Sequence, residues 1–137
     1  MTATTRGIRN NNPGNVRKGT DWNGLDPSGT DADFCVFVSP QYGIRVIAKL
    51  LFAYQDFHDL NTIHGLIDRW APPSENDTGA YAQFGAERAN WGVDTHLSLH
   101  TMPELLKGMV VAIIAYENGG YAYPDGVVSS GIQMAMS

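Results

Sequence analysis

With 137 residues, 43% of them hydrophobic and 17% charged, the chain has the size of one globular domain that buries roughly 70% of its unfolded surface in a single core. A formal net charge of −5 argues against nucleic-acid binding through a general basic surface, and no stretch approaches the roughly 18 apolar residues of a membrane span. Cys35 is the single cysteine, so an intramolecular disulfide is excluded.

The opening "MTATTRGIRNNN" has no apolar run, and no signal peptide is expected there. Four of the nine basic residues, Arg6, Arg9, Arg17 and Lys18, precede the first acid, Asp21. That segment suits contact with an anionic polymer or a solvated arm. Residues 1 to 39 are rich in turn signals, "RNNNPGN" and "DPSGTD" among them. Between these, "FCVFV" (34 to 38) is predicted to pair with a strand near "NVRKG" in a small β-hairpin.

From residue 40 onwards the pattern is helical. Ser39-Pro40 reads as a cap and first helical residue, and Ile47, Leu50, Leu51 and Tyr54 share one face of a helix over 40 to 58. Asn61 or Thr62 can cap a second helix carrying Ile63, Leu66, Ile67 and Trp70, which the "APP" that follows cannot continue. Thr78 can cap a third, with Tyr81, Phe84, Arg88 and Trp91 on one face. The run Thr101 to Glu104 has capping-box spacing and a proline in the first turn, which predicts a fourth helix with the stripe Leu106, Val110, Ile113 and Ile114. Asn118-Gly119 supplies its stop signal. A fifth, over about 124 to 135, carries Val128, Ile132 and Ala135.

Glu117 falls on the core-facing stripe of the fourth helix, continuing 106, 110 and 113. Tyr116, Tyr121 and Tyr123 stand nearby and can wall it from water. A carboxylate is disfavoured there by desolvation and by the negative end of the helix dipole, which suits a general acid that protonates a leaving oxygen in glycosidic bond cleavage. The other reading is a structural hydrogen bond at a helix end.

The series "RGIRNNNPGNVRKG", "W-x-G", "F-V-S-P-x-x-G-I", "RWAPPSENDTGAYA" and "AIIAYENG" resembles a group of phage and prophage proteins described as virion structural proteins or as peptidoglycan hydrolases with a lysozyme-like, transglycosylase-like domain. More remotely, the chain is similar to bacterial glucosaminidases of the lysozyme superfamily, with the motifs in rotated order. Asn12, Gly14 and Asn15 come first, then Trp22 and Gly24, Phe37 and Ser39, Tyr81-Ala82, and last Glu117-Asn118-Gly119, where Asn118 replaces the family's serine. The order is that of a circular permutation, which would bring the 12 to 15 turn beside Glu117.

The resemblance implies a mainly α, α+β fold: one lysozyme-like domain over 1 to 137, with about five helices and the small hairpin. It implies Glu117 as catalytic acid and Tyr81 as a cleft tyrosine, with Asn12, Gly14, Asn15, Trp22, Asn118 and Tyr121 as substrate contacts. Tyr81 as plain core and "NNNPGN" as a plain turn are the alternatives. In the "SENDT" loop, Glu75 or Asp77 can act as a second carboxylate, or Asp77 can cap the next helix. Without a second carboxylate, Glu117 works alone as acid and then base, the lytic transglycosylase mode.

His96 and His100 are four residues apart without an HExxH, and no metal or other cofactor is expected. The expected partners are the glycan strands of peptidoglycan and other phage virion proteins, with no nucleic acid and no membrane span. The competing class is a non-catalytic virion or glycan-binding protein of the same fold.

Overall fold

Pro40 opens the longest helix because its fixed φ suits the first helical position and its missing N–H costs nothing there. In the computed structural model, which describes residues 4–137, that helix is α2, Pro40–His58. The first three residues of the stretch in which no signal peptide is expected lie outside the described residues. Before α2 comes a single short turn of helix, α1 (Arg6–Arg9), and after it α3 (Ile63–Trp70), α4 (Thr78–Ala89), α5 (Pro103–Glu117) and α6 (Asp125–Ala135). The molecule is mainly α. Five of these helices match the periodic segments, and α1 adds a sixth that is too short to show a period. Its signal is Thr5, whose side chain accepts from the backbone N–H of Ile8.

Thr62 caps α3 as expected, accepting from the N–H of Gly65, and elsewhere the structure chooses between candidates or overturns them. Asp77, not Thr78, caps α4 by accepting from the N–H of Ala80, while Thr78 donates its hydroxyl to the carbonyl of Ala71 at 2.6 Å. The Thr101 capping box does not form, since Met102 is the cap residue and Thr101 bonds back to the carbonyl of Ser98.

The expected β-hairpin is absent as paired strands among the described residues. Two isolated antiparallel bridges take its place, Arg17 with Phe34 and Leu25 with Phe37. Asn10, Asn11 and Asn12 explain why the ladder stops. The carbonyl of Asn10 accepts from the N–H of Phe37, the Asn11 amide donates to the carbonyl of Phe37, and the Asn12 amide donates to the carbonyl of Cys35. Side chains and turn backbone thus satisfy groups that a second strand would otherwise pair.

Helices α2 and α6 pack closely on each other, as do α4 and α5. Ile44, Ile47 and Leu51 of α2 meet Ile63, Leu66 and Ile67 of α3, Tyr81 of α4, Leu106, Val110 and Ile113 of α5, and Val128 of α6 in one core. Each such aliphatic side chain contributes about 1.5–3 kcal/mol on burial. A smaller cluster of Cys35, Phe37 and Val46, covered by Trp22, Leu25 and Tyr42, seats the N-terminal region on α2. No helix among the described residues is long and apolar enough to cross a membrane.

Candidate functional site

The C-terminal end of α5 is built from Glu117-Asn118-Gly119-Gly120. Gly119 takes a left-handed φ of 63°, and the N–H of Gly120 returns to the carbonyl of Ala115 at 2.8 Å, a closure that stops the helix. Glu117 is therefore the last helical residue, half-buried at the lower end of the stripe formed by Leu106, Val110 and Ile113.

Against this end packs the "NNNPGN" turn. Asn11 and Asn15 adopt φ of 53° and 51°, a region that asparagine tolerates better than most side chains. The Asn15 amide donates to Oε1 of Glu117 at 3.3 Å across 102 positions of sequence. Gly14 lets the turn lie flat: a Cβ there would stand 2.9 Å from Ile47 Cγ1 and 3.0 Å from Trp70 Cζ2.

Glu117, Gly14 and Asn15 line a cleft of about 580 Å³. Trp70 and Ala71 at the end of α3, Leu50 and Tyr54 of α2, and Phe34 and Arg17 of the first bridge complete its apolar and basic walls. Glu75 and Asn76, both exposed, stand on the rim of the same cleft.

Tyr81 lies beneath. It is fully buried, its ring stacked on Tyr116 at 3.8 Å between centroids, and its hydroxyl oxygen has no hydrogen-bond partner among the described residues. Burial, and then the neighbouring Glu117 carboxylate, hold its pKa well above the ordinary tyrosine value. The phenol keeps its proton at any working pH, next to a carboxyl group.

Four expected substrate contacts stand elsewhere. Asn12 is fully buried and donates to the carbonyls of Val16 and Cys35 while accepting from the N–H of Val16, so its amide is used locally. Asn118 is buried as well. It accepts from the Thr5 hydroxyl at 2.6 Å and donates to the carbonyls of Pro13 and Ile114 at 2.8 and 2.9 Å, clamping the N-terminal turn to α5. Trp22 covers the Phe37 cluster and lines a separate groove with Phe52, Phe57 and His100. Tyr121 is 41% exposed and packs edge-on against Tyr123, outside the cleft lining. Of the tyrosines expected to screen Glu117, none lines the cleft: Tyr116 packs on Tyr81 and Phe84, and Trp70 and the 14–15 turn are what line the cleft with Glu117.

His100 bonds Asp56 at 2.7 Å and stacks on Phe52. No group of three or more potential metal ligands occurs among the described residues.

The sequence does not single out Phe34, Leu50 or Tyr54 as cleft residues, and it marks Arg17 only as one of four bases suited to an anionic polymer. For Leu50 and Tyr54 the helical stripe was visible but not its open end. For Arg17 and Phe34 the signal was the pairing of "NVRKG" with "FCVFV", which brings the two together.

No family model matches the chain. Over 132 residues, 93% of this chain and 80% of its relative, it is 36% identical to Protein P5 of Pseudoalteromonas phage PM2. The chain belongs to the Protein P5 family. At that coverage the similarity to Protein P5 extends over nearly the whole fold rather than one motif, and it makes a phage protein a relative of this chain.

Proposed function

We propose that the chain cleaves the glycan strands of peptidoglycan, with Glu117 as general acid and base, on a lysozyme-like fold whose motif order is circularly permuted. The observation that carries this reading is the meeting of Asn15 with Glu117 at 3.3 Å in a cleft large enough for sugar rings. A permuted domain requires that meeting, and a plain N-terminal turn does not.

In the proposed reaction, the Glu117 carboxyl group gives its proton to the glycosidic oxygen as the bond from C1 to that oxygen breaks. The resulting carboxylate then takes the proton of the sugar's own C6 hydroxyl, whose oxygen closes onto C1. The product carries a 1,6-anhydro end, and the acid regains its proton. Tyr81 lies buried beside Glu117, sets its phenol dipole there and keeps its own proton. Glu75 is exposed on the rim and has no part in this cycle. The phage relative supports delivery with a virion, where an opening in the wall would be needed.

A non-catalytic virion component is the second reading, favoured by Asn118, which stands where the resembling enzymes have serine and serves as a clamp. Clearing of purified cell walls separates the two. Wild type is expected to clear them, Glu117→Gln to be slower by about 10²–10⁴-fold, and Glu75→Gln to be active, with anhydro ends in the product masses. Equal rates for wild type and Glu117→Gln would remove Glu117 from the mechanism. Walls bound but never cleared would leave the non-catalytic reading. Reducing ends, together with an inactive Glu75→Gln, would replace the single-acid route with hydrolysis by two carboxylates.

A further inference from the structure

The acid chemistry at Glu117 leaves one wall of the cleft unused. Arg17 and Phe34, joined by their bridge, form it, with the Arg17 guanidinium 4.8 Å above the ring centroid. Arg6 covers the same ring at 4.5 Å. The two arginines differ in what neutralises them. Arg6 donates from Nε and Nη2 to Asp31, both at 2.6 Å, and reaches Asp33 at 3.7 Å. Arg17 has no carboxylate within ion-pair distance among the described residues, although Glu75 and Glu117 line the same cleft.

This difference sorts the basic quartet of the first 18 residues. Arg6 is paired, Arg9 donates to the carbonyl of Thr4, and Lys18 lines another groove beside Cys35. Only Arg17 of the four brings an unneutralised cation to the cleft. A guanidinium resting on an aromatic ring keeps its N–H edge free and has lost part of its side-chain freedom in advance, both of which favour a planar anion. In a chain of net charge −5, such a cation runs against the overall sign.

Resting on the reading of this cleft as a glycan site, we propose that Arg17, seated on Phe34, binds a carboxylate carried by the glycan. The cleft thereby selects an acidic amino-sugar polymer over a neutral one. Peptidoglycan offers that chemistry from two sources, the lactyl ether of muramic acid once it is bare, and the peptide stem where one is attached.

The test uses the full chain with Glu117→Gln, so that ligands are not cut, and compares Arg17 with Arg17→Gln by calorimetry. Three probes serve: a neutral N-acetylglucosamine tetrasaccharide, a muramic-acid tetrasaccharide stripped of peptide, and the same glycan with its stems. Arg17→Gln is expected to weaken at least one acidic probe about tenfold, the loss of one charge-assisted contact, and to leave the neutral probe unchanged. Added salt should weaken the same probe selectively. Loss confined to the stripped glycan assigns the lactyl group, and loss confined to the stemmed glycan assigns the peptide. Equal loss on all three, or none on any that bind, overturns the role of Arg17 while the glycan reading stands. If none of the probes binds with arginine present, the glycan reading fails and takes this one with it. Arg17 is exposed, so its replacement leaves the core intact, and matching thermal melts verify that.

Discussion

Tyr81 carries a buried hydroxyl with no partner, and leaving such a group unpaired costs about 1–3 kcal/mol. A core position alone would be better served by phenylalanine. Tyr81→Phe is therefore expected to leave the melting temperature unchanged or raise it, by the equivalent of up to about 1 kcal/mol, while slowing wall clearing because the phenol dipole beside Glu117 is lost. A variant that is both less stable and fully active would mark Tyr81 as packing only. Glu117 itself was legible because its type breaks the apolar stripe of its helix. Asn12 and Asn118 were not legible in the same way. An amide looks identical in sequence whether it faces a sugar or, as here, ties carbonyls of Val16, Cys35, Pro13 and Ile114. Only the fold decides which carbonyls come within reach.

Among elements, the long helices were readable because period, cap and stop agree, as in α2, where Pro40 opens and apolar residues recur until His58. Of the hairpin, the pairing of "NVRKG" with "FCVFV" forms as the Arg17–Phe34 bridge but does not extend into two strands, since β-branched and aromatic residues indicate burial as readily as pairing. Cys35 and Phe37 are buried against Val46 of α2, and the backbone is held by asparagines. The seat of α6 on α2 rests on a feature of the opposite kind, a missing side chain. A Cβ at Gly131 would fall 2.6 Å from Ile44 Cβ and 2.9 Å from the Gln41 carbonyl oxygen, atoms that cannot swing aside. Alanine improves helix propensity by about 1 kcal/mol, and overpacking costs about 1–3 kcal/mol. Gly131→Ala should thus lower stability by up to about 2 kcal/mol. Gly126→Ala in the same helix, with nothing within 4 Å, should raise it by up to about 1 kcal/mol. Urea titrations of the two variants check the contrast, and a stabilising Gly131→Ala would show that the two helices are free to separate.

For the whole molecule, the candidate site depends on closing a loop of about one hundred residues, since the N-terminal region supplies one wall and α5 the acid. That closure is tied near its start by Asp31. Its carboxylate receives Arg6 through two nitrogens, the Asn10 amide at 2.9 Å, and the N–H groups of Asp33 and Phe34 at 2.9 Å each. The Arg6 guanidinium foremost, then the Phe34 N–H, holds Asp31 far below the ordinary carboxylate range. Because the folded-state pKa is depressed, the stabilisation is complete above the unfolded value of about 3.9 and fades as pH falls below it toward the folded value. Asp31→Asn keeps the size and some acceptor capacity but not the charge. Its stability deficit relative to wild type should be largest and constant from about pH 5 upward, and should shrink as the pH drops below 4. Activity should also fall at neutral pH, because Arg6, Asn10 and the turn bearing Asn15 share one arm. Chemical denaturation of both proteins across this pH range, read beside wall clearing at pH 7, measures both effects. A deficit that stays the same from pH 7 to pH 2.5 would mean that Asp31 acts through shape alone, and full activity in Asp31→Asn would separate the arm from the site.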